Sequence, residues 1–191
     1  YAQSVLGIGW AVIQPIFSMI VFTIVFGKLA KINSDGVPYA IFSYTALVPW
    51  TYFSGALTGA SGSLLGASGM MTKVYFPRLI IPMAPVMSKL IDFGIAFVIL
   101  LLMMAYFGFM PSIQIIYLPL LILIMMITAS GMGMWLTAMA VQYRDINYAM
   151  SFFVQLLMYA APVVYPASII PEPFRLIYGC FPMVGVIEGF R

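Results

Sequence analysis

The 191-residue sequence is too poor in charge to cover a water-facing surface: 64% of its residues are hydrophobic and 7% are charged, whereas soluble domains carry about 25% charged residues. This composition indicates a protein embedded in a lipid bilayer. The net charge of +3 is too small and too scattered to indicate a nucleic-acid partner, and the single cysteine, Cys180, excludes a disulfide within the chain.

Uncharged runs at residues 1–27, 36–72, 93–143 and 146–171 predict the membrane-spanning helices. The run 93–143 would be about 75 Å long as one helix, against a hydrocarbon core of about 30 Å. It must therefore fold back, and GFMPS at 108–112 is the turn signal. We predict five transmembrane helices, at roughly residues 6–27, 40–62, 83–107, 115–141 and 147–164.

The remaining C-terminal segment differs from these runs. Residues 166–191 contain four prolines, and only 12 uncharged residues lie between Arg175 and Glu188, too few to cross a bilayer. Such a segment lies at the interface or enters the membrane and returns. The predicted fold class is thus an all-α, polytopic helical membrane protein with five transmembrane helices and a proline-broken re-entrant or interfacial segment, in a single domain over residues 1–191.

The placement of cations predicts the orientation, since cytoplasmic connections carry an excess of Lys and Arg. One set of connections has four cations and the opposite set has three: Lys73, Arg78, Lys89 and Arg144 against Lys28, Lys31 and Arg175. This bias places residues 72–78 in the cytoplasm and residues 28–38 outside.

The stretch KVYFPRLIIP, residues 73–82, sets two cations around a Tyr-Phe-Pro bend. Pro77 disfavours a helical Phe76 and can start the next helix. One interpretation is a positive-inside anchor with an aromatic residue at the membrane interface. The other is a docking surface for a cytoplasmic partner.

The second predicted helix carries hydroxyls and glycines at helical spacing. Small residues let membrane helices approach closely, and hydroxyls can bond across. A tight helix–helix contact is therefore one interpretation, and a hydroxylated channel wall is the other. The two sets are Thr51, Ser54, Thr58, Ser61 and Ser68, and Gly55, Gly59, Gly62, Gly66 and Gly69.

Two further helix faces combine amides with aromatic rings, the pair of groups that a glycan needs. A buried amide costs energy unless it is bonded, so lipid-facing stripes rarely contain glutamine. Alternatively, the two glutamines bond each other or a partner subunit, and Trp10 and Tyr148 belong to interface belts. The candidate substrate-path residues are Trp10, Gln14 and Phe17 in the first helix and Tyr148, Phe152, Gln155 and Tyr159 in the fifth.

Asp92 bears on two competing functions. An ionisable group within a span is a functional candidate, as in a proton-coupled secondary transporter or channel. Lys89 lies three residues earlier, however, which favours a local ion pair. With no His, one Cys and no clustered carboxylates, the sequence offers no catalytic or metal-binding constellation. It also has no Walker motif, so we do not expect this chain to hydrolyse ATP.

Five long stretches together resemble the permease subunits of ABC transporters that export polysaccharides such as O-antigen, capsular polysaccharide or teichoic acid. The resemblance runs from end to end with matching order and spacing. The stretches are YAQSVLGIGWAVIQP (1–15), FGKLAKINSDGVPYAIFSYTALVPWTYFSGAL (26–57), TKVYFPRLIIP (72–82), VQYRDINYA (141–149) and APVVYPASIIPEPFRLIYGCFPMVGVIEGFR (161–191).

The resemblance implies a bacterial cytoplasmic-membrane subunit that pairs with a second permease copy and moves a lipid-linked glycan. Each copy would bind a cytoplasmic ATPase subunit that uses ATP and Mg²⁺, with no cofactor on this chain. It also implies an interface helix before residue 1 and a sixth span after residue 191. The loop between the second and third spans would be the ATPase-coupling element, with Met70, Met71, Lys73, Tyr75, Phe76, Pro77 and Arg78 as its residues, and the YRD connection at 143–145 would face the same side.

Cysteine labelling from outside the cell tests the predicted orientation. In a Cys180→Ser background, we expect an impermeant maleimide to label Asn33→Cys and to leave Lys73→Cys unlabelled until the membrane is permeabilised. Labelling of position 73 but not position 33 in intact cells would invert the arrangement.

Overall fold

The computed structural model describes residues 9–32, 36–67, 69, 77–109, 113–143 and 145–191. Every regular element in these ranges is helical, which confirms the predicted all-α class. The helices are α1 (Gly9–Phe22, continued by a π-helical segment Thr23–Leu29), α2 (Tyr39–Gly66), α3 (Ile80–Tyr106), α4 (Leu118–Gln142, preceded by a 3₁₀ turn Ile113–Tyr117), α5 (Asp145–Ala160), a 3₁₀ turn Ala167–Ile169, α6 (Glu172–Gly179) and α7 (Pro182–Phe190).

Three helical stretches among the described residues are long and apolar enough to cross a membrane: Val12–Leu29, Ile80–Tyr106 and Ile113–Gln142. They correspond to the first, third and fourth predicted spans. Helix α2 has 28 residues but a more polar composition, and α5 has 16 residues. An integral membrane protein is therefore supported, whereas the count of five spans and the re-entrant segment stay predictions.

Helix α2 is the centre of the bundle. It contacts α1, α3, α4, α5 and α7, and its buried residues run almost without interruption from Tyr39 to Phe53. A helix enclosed by protein does not need the uniformly apolar surface that lipid demands. This explains why hydroxyls and glycines are tolerated along α2.

Close approach between α2 and its neighbours depends on glycine. A Cβ atom at Gly59 would lie 2.9 Å from Cβ of Pro85 in α3, and one at Gly55 would lie 3.3 Å from Cδ and Cε of Lys89. From the other side, a Cβ atom at Gly133 of α4 would lie 3.0 Å from Cβ of Ala60. The interpretation of the glycines as a tight helix–helix contact is thus confirmed for Gly55 and Gly59.

Hydroxyl groups join these helices by bonding to backbone carbonyls. The buried Tyr44 and Tyr52 of α2 donate to the carbonyl oxygens of Ala96 (3.3 Å) and Val86 (3.1 Å) in α3. The Thr137 hydroxyl of α4 lies 2.8 Å from the carbonyl oxygen of Ala60 and 2.6 Å from that of Gly133 in its own helix, so its one proton is shared between them. Because a buried hydroxyl without a partner costs free energy, these bonds help fix how the helices are rotated against each other.

The predicted turn after the third span begins at Gly108. Its φ of +74° is a conformation that favours glycine, and it follows the last turn of α3. The amide of Phe109 donates to Met104 O (2.9 Å) and that of Gly108 to Ala105 O (3.2 Å), the two bonds of a Schellman motif. Residues 110–112 of the turn signal lie outside the described residues.

The helices alternate in direction, so the connections group at two ends of the bundle. We call the end where residues 67–79 join α2 to α3 the loop end. At this end Gly62 of α2 lies beside Asn147 of α5: a Cβ atom at Gly62 would lie 3.9 Å from Asn147 Oδ1. We call the opposite end the tail end, where the Tyr39 hydroxyl donates to Val164 O at 2.7 Å.

The tail folds onto the bundle. Helix α5 ends at Ala160, four residues before the predicted end at 164, because Pro162 disfavours helix in the residue before it and lacks an amide proton. Helix α7 then packs on α2 and α4 with Met183, Val186 and Ile187 buried. The proline-rich segment is therefore held by protein contacts at the tail end.

Replacing Gly59 by alanine should destabilise the bundle. The added methyl group meets the rigid Pro85 ring, and overpacking of this kind costs about 1–3 kcal/mol. Gly62→Ala is the matched control, because its methyl group makes an ordinary contact and it gains up to about 1 kcal/mol of helix propensity. Unfolding in mixed micelles, followed by circular dichroism, measures both. Equal stability of the two variants would contradict the tight contact.

Candidate functional site

A polar cleft lies between α1, α2 and α3, with a volume of about 110 Å³. It brings together residues that are far apart in sequence: two from the predicted substrate path, two from the hydroxyl series and the charged pair of α3. These are Trp10, Gln14, Thr51, Ser54, Lys89 and Asp92. All six belong to patterns that are visible in the sequence, but no spacing in the sequence indicates that they meet.

The charged pair of α3 forms the expected local contact. Lys89 Nζ lies 2.8 Å from Asp92 Oδ2, which confirms the predicted Lys89–Asp92 ion pair. The Lys89 side chain is 40% exposed and that of Asp92 is 20% exposed, so both are accessible from the cleft. The aliphatic stem of Lys89 crosses α2 at Gly55, where the missing side chain leaves room for it.

The hydroxyls of α2 bond to their own helix. Thr51 donates to Val48 O (3.1 Å) and Ser54 to Thr51 O (3.2 Å). Thr58 and Ser61 likewise donate to carbonyls three or four residues earlier. Their protons are therefore used, but the hydroxyl oxygens of Thr51 and Ser54 keep lone pairs for donors in the cleft. Ser68 lies outside the described residues.

The amide and aromatic faces of α1 and α5 are exposed in the single chain. Trp10 and Phe17 are 56% and 66% exposed, and the rings of α5 are more than half exposed (Tyr148, Phe152 and Tyr159). Gln14 and Gln155 are exposed as well. In the described part of the chain, α1 and α5 do not pack extensively on each other, and no Gln14–Gln155 hydrogen bond is present. These faces are left for lipid, a second copy or a substrate.

Only part of the predicted coupling element is described. Pro77 and Arg78 are exposed at the loop end, where the Ile80 amide donates to Pro77 O at 3.0 Å. Helix α3 begins at Ile80, three residues before the predicted start of the third span at 83 and three after Pro77, because residues 78–79 form a turn. Met70, Met71, Lys73, Tyr75 and Phe76 lie outside the described residues. Tyr143 and Asp145 of the YRD connection lie at the same end, where α4 ends at Gln142 and α5 begins at Asp145, and Arg144 lies outside the described residues.

A polar cluster at the tail end was not anticipated. Arg191 donates to Glu188 Oε1 (2.9 Å) and to the carbonyl oxygens of Tyr165 and Val163 (3.3 Å each), while its Cζ lies 3.7 Å from the centroid of the Phe42 ring. The only local signal in the sequence is the i, i+3 spacing of Glu188 and Arg191. The contact with Phe42 spans most of the chain, so no spacing rule reveals it.

Tyrosines extend this cluster to the end of α5. Tyr178 donates to the hydroxyl of Tyr165 (3.3 Å), which donates in turn to Tyr159 O (2.9 Å). Burial, together with the bond to Tyr165, raises the pKa of Tyr178 above its usual range, so it remains a donor at physiological pH. The tail is thereby bonded to the residue that ends the aromatic face of α5.

Comparison with known proteins gives concordant results. The profile of the ABC-2 type transporter family matches residues 1–191. The O-antigen export system permease protein RfbA of Myxococcus xanthus is 26% identical over 193 residues, covering 100% of this chain and 74% of that protein. The protein of the same name from Klebsiella pneumoniae is 25% identical over 192 residues, covering 100% of this chain and 73% of the relative.

Proposed function

Because the chain belongs to the ABC-2 type transporter family, we propose that it is the membrane-spanning subunit of an ATP-driven exporter of lipid-linked polysaccharide. The permeases it resembles are named for O-antigen export, which supports a glycan as the substrate. The chain acts by transport rather than catalysis, and ATP hydrolysis belongs to a separate cytoplasmic ATPase subunit.

The exposed faces of α1 and α5 are the observation that carries this proposal. Each combines aromatic rings with a glutamine, and neither is covered by the described part of the chain. Rings stack on the C–H faces of sugars, while amides exchange hydrogen bonds with their hydroxyls. A second copy of the chain would let two such sets of faces enclose a channel, since one bundle leaves them open.

Coupling to the ATPase belongs to the loop end. The exposed Arg78 and the turn at Pro77 precede α3 directly, and α3 is packed on α2 through the Gly55 and Gly59 contacts. A push on this turn is therefore transmitted to α2 and α3, two of the three helices that line the polar cleft. The second connection at the same end, around residues 143–145, gives the ATPase access to α5.

Paired loss of aromatic rings on α5 should slow export. A moving polymer has to bind weakly at each ring, so single substitutions should be mild, at roughly 1 kcal/mol each by analogy with other aromatic contacts. We expect Phe152→Ala with Tyr159→Ala to reduce surface glycan several-fold, measured at equal permease level in the membrane. Phe174→Ala, an exposed ring on α6, is the matched control.

A different result is expected if the aromatic face of α5 contacts lipid. The permease with Phe152→Leu and Tyr159→Leu would then export glycan normally, and a spin label at position 152 would report a lipid environment. Either result would remove α5 from the path.

Charge reversal at the loop end should uncouple the ATPase. Arg78→Glu places an anion where the proposed docking surface needs a cation, and like-charge contacts at interfaces cost several kcal/mol. We expect export and detergent pull-down of the ATPase to fall while membrane levels of the permease remain normal. Arg175→Glu at the tail end is the control. Intact pull-down and export in Arg78→Glu would leave only the anchoring role of this cation.

A further inference from the structure

We propose that the cleft between α1, α2 and α3 is a sugar-binding station, in which Lys89 and Asp92 bond the hydroxyls of one sugar residue beside the Trp10 ring. The inference rests on the proposed function, because it assigns to the export path a site deeper in the protein than the exposed faces of α1 and α5. In this proposal the Lys89–Asp92 ion pair contacts substrate, in addition to neutralising two charges in the bilayer.

The groups around the cleft match the needs of a sugar. Lys89 has three N–H donors, of which Asp92 Oδ2 takes one. The Gln14 amide supplies donors and an acceptor, and the Thr51 and Ser54 oxygens accept. Trp10 adds an aromatic face. Room for one water requires about 10–15 Å³, so the cleft of about 110 Å³ holds several waters that the edge of one sugar ring can replace.

The charge of the site favours a sugar over a phosphate group. Lys89 and Asp92 together are neutral, and no other charged residue lines the cleft among the described residues. An anion such as the phosphate of a lipid carrier would meet the carboxylate of Asp92 as well as the ammonium. Neutral hydroxyls, in contrast, can donate to the carboxylate and accept from the ammonium at once.

The pair sits at a depth that a polymer in transit has to cross. Lys89 and Asp92 lie nine and twelve residues after the start of α3 at Ile80, about 14 and 18 Å from the loop end at 1.5 Å per residue. Gly55 is eleven residues before the end of α2, about 16 Å by the same measure. An ionic pair at this depth is costly, whereas a purely structural contact is made as well by apolar residues.

The cleft opens onto the predicted substrate path. Trp10 and Gln14 line the cleft, and they also line a larger, more open groove together with Ile13, Phe17 and Ser18. A sugar on the outer face of α1 would therefore contact two residues that also line the cleft of the ion pair. Placing Lys89 at this junction depends on Gly55, over which its stem lies.

Substrate protection of an engineered cysteine tests the station. The permease, with Cys180→Ser and Thr51→Cys, is expressed with its ATPase subunit in an inactive form, so that glycan stalls in the path. A small membrane-permeant methanethiosulfonate then labels position 51 in cells that make the glycan and in cells that do not. We expect glycan to slow labelling several-fold, and we expect this protection to be lost in Lys89→Met with Asp92→Leu.

Export in a cysteine-free permease with the active ATPase gives the second measurement. The double variant replaces the ion pair by apolar side chains of similar size, so membrane level and ATPase pull-down should be unchanged. Surface glycan should fall about tenfold. Ser88→Ala, which changes an exposed polar residue of α3 outside the cleft, should export normally.

Each remaining outcome overturns a defined part of the argument. Protection at a Phe152→Cys probe but not at Thr51→Cys removes the station and keeps α5 on the path, whereas protection at neither probe removes both from the path. Unchanged surface glycan in cells that lack the permease would remove the proposed function itself. Full protection and export in Lys89→Met with Asp92→Leu makes the pair structural only. Stronger protection in Asp92→Asn, which leaves a net cation, identifies an anionic ligand, such as the phosphate of a lipid carrier, instead of a neutral sugar.

Discussion

The enclosure of α2 by the other helices is the constraint on which the rest of the structure depends. A helix in a membrane must satisfy its backbone within itself, and side-chain polar groups away from water need partners as well. In α2 the hydroxyls of Thr51, Ser54 and Thr58 bond to their own helix, and Tyr44 and Tyr52 bond to carbonyls of α3. With these groups satisfied, α2 can be polar in sequence and still lie at the centre.

Close packing around α2 also creates the polar cleft. Because Gly55 and Gly59 bring α3 against α2, Lys89 lies across α2 and its charge falls beside α1 rather than in lipid. A larger residue at position 55 would push the stem of Lys89 away from α2. The same glycines thus serve packing and place an ion pair in the proposed sugar-binding station, so the structural and channel interpretations of this helix face are not exclusive.

Local features of the fold could be predicted from the sequence, and long-range ones could not. Uncharged runs located the long helices, Gly108 marked the end of α3, and the spacing of Lys89 and Asp92 predicted their ion pair. Each uncharged run is one continuous stretch of sequence, and the glycine and the ion pair depend on residues within about one helical turn. That Gln14 and Lys89 line the same cleft depends on which helices are neighbours and on how each helix is rotated. A periodic pattern within one helix gives no information about either.

The contacts of the C-terminal tail are also long-range and could not be predicted from the sequence, and they affect how α5 is held. Arg191 bonds carbonyls of residues 163 and 165 and lies over Phe42, while Tyr165 bonds the last turn of α5. At the tail end, the aromatic face of α5 is therefore linked to the start of α2 through Tyr165 and Arg191. At the loop end, the face begins beside Gly62 of α2. Because α5 packs against α2, a displacement applied at the loop end acts on the faces of the proposed path through one packed unit. Weak contacts with a moving polymer then suffice, because the rigidity resides in the helix contacts rather than in the binding of substrate.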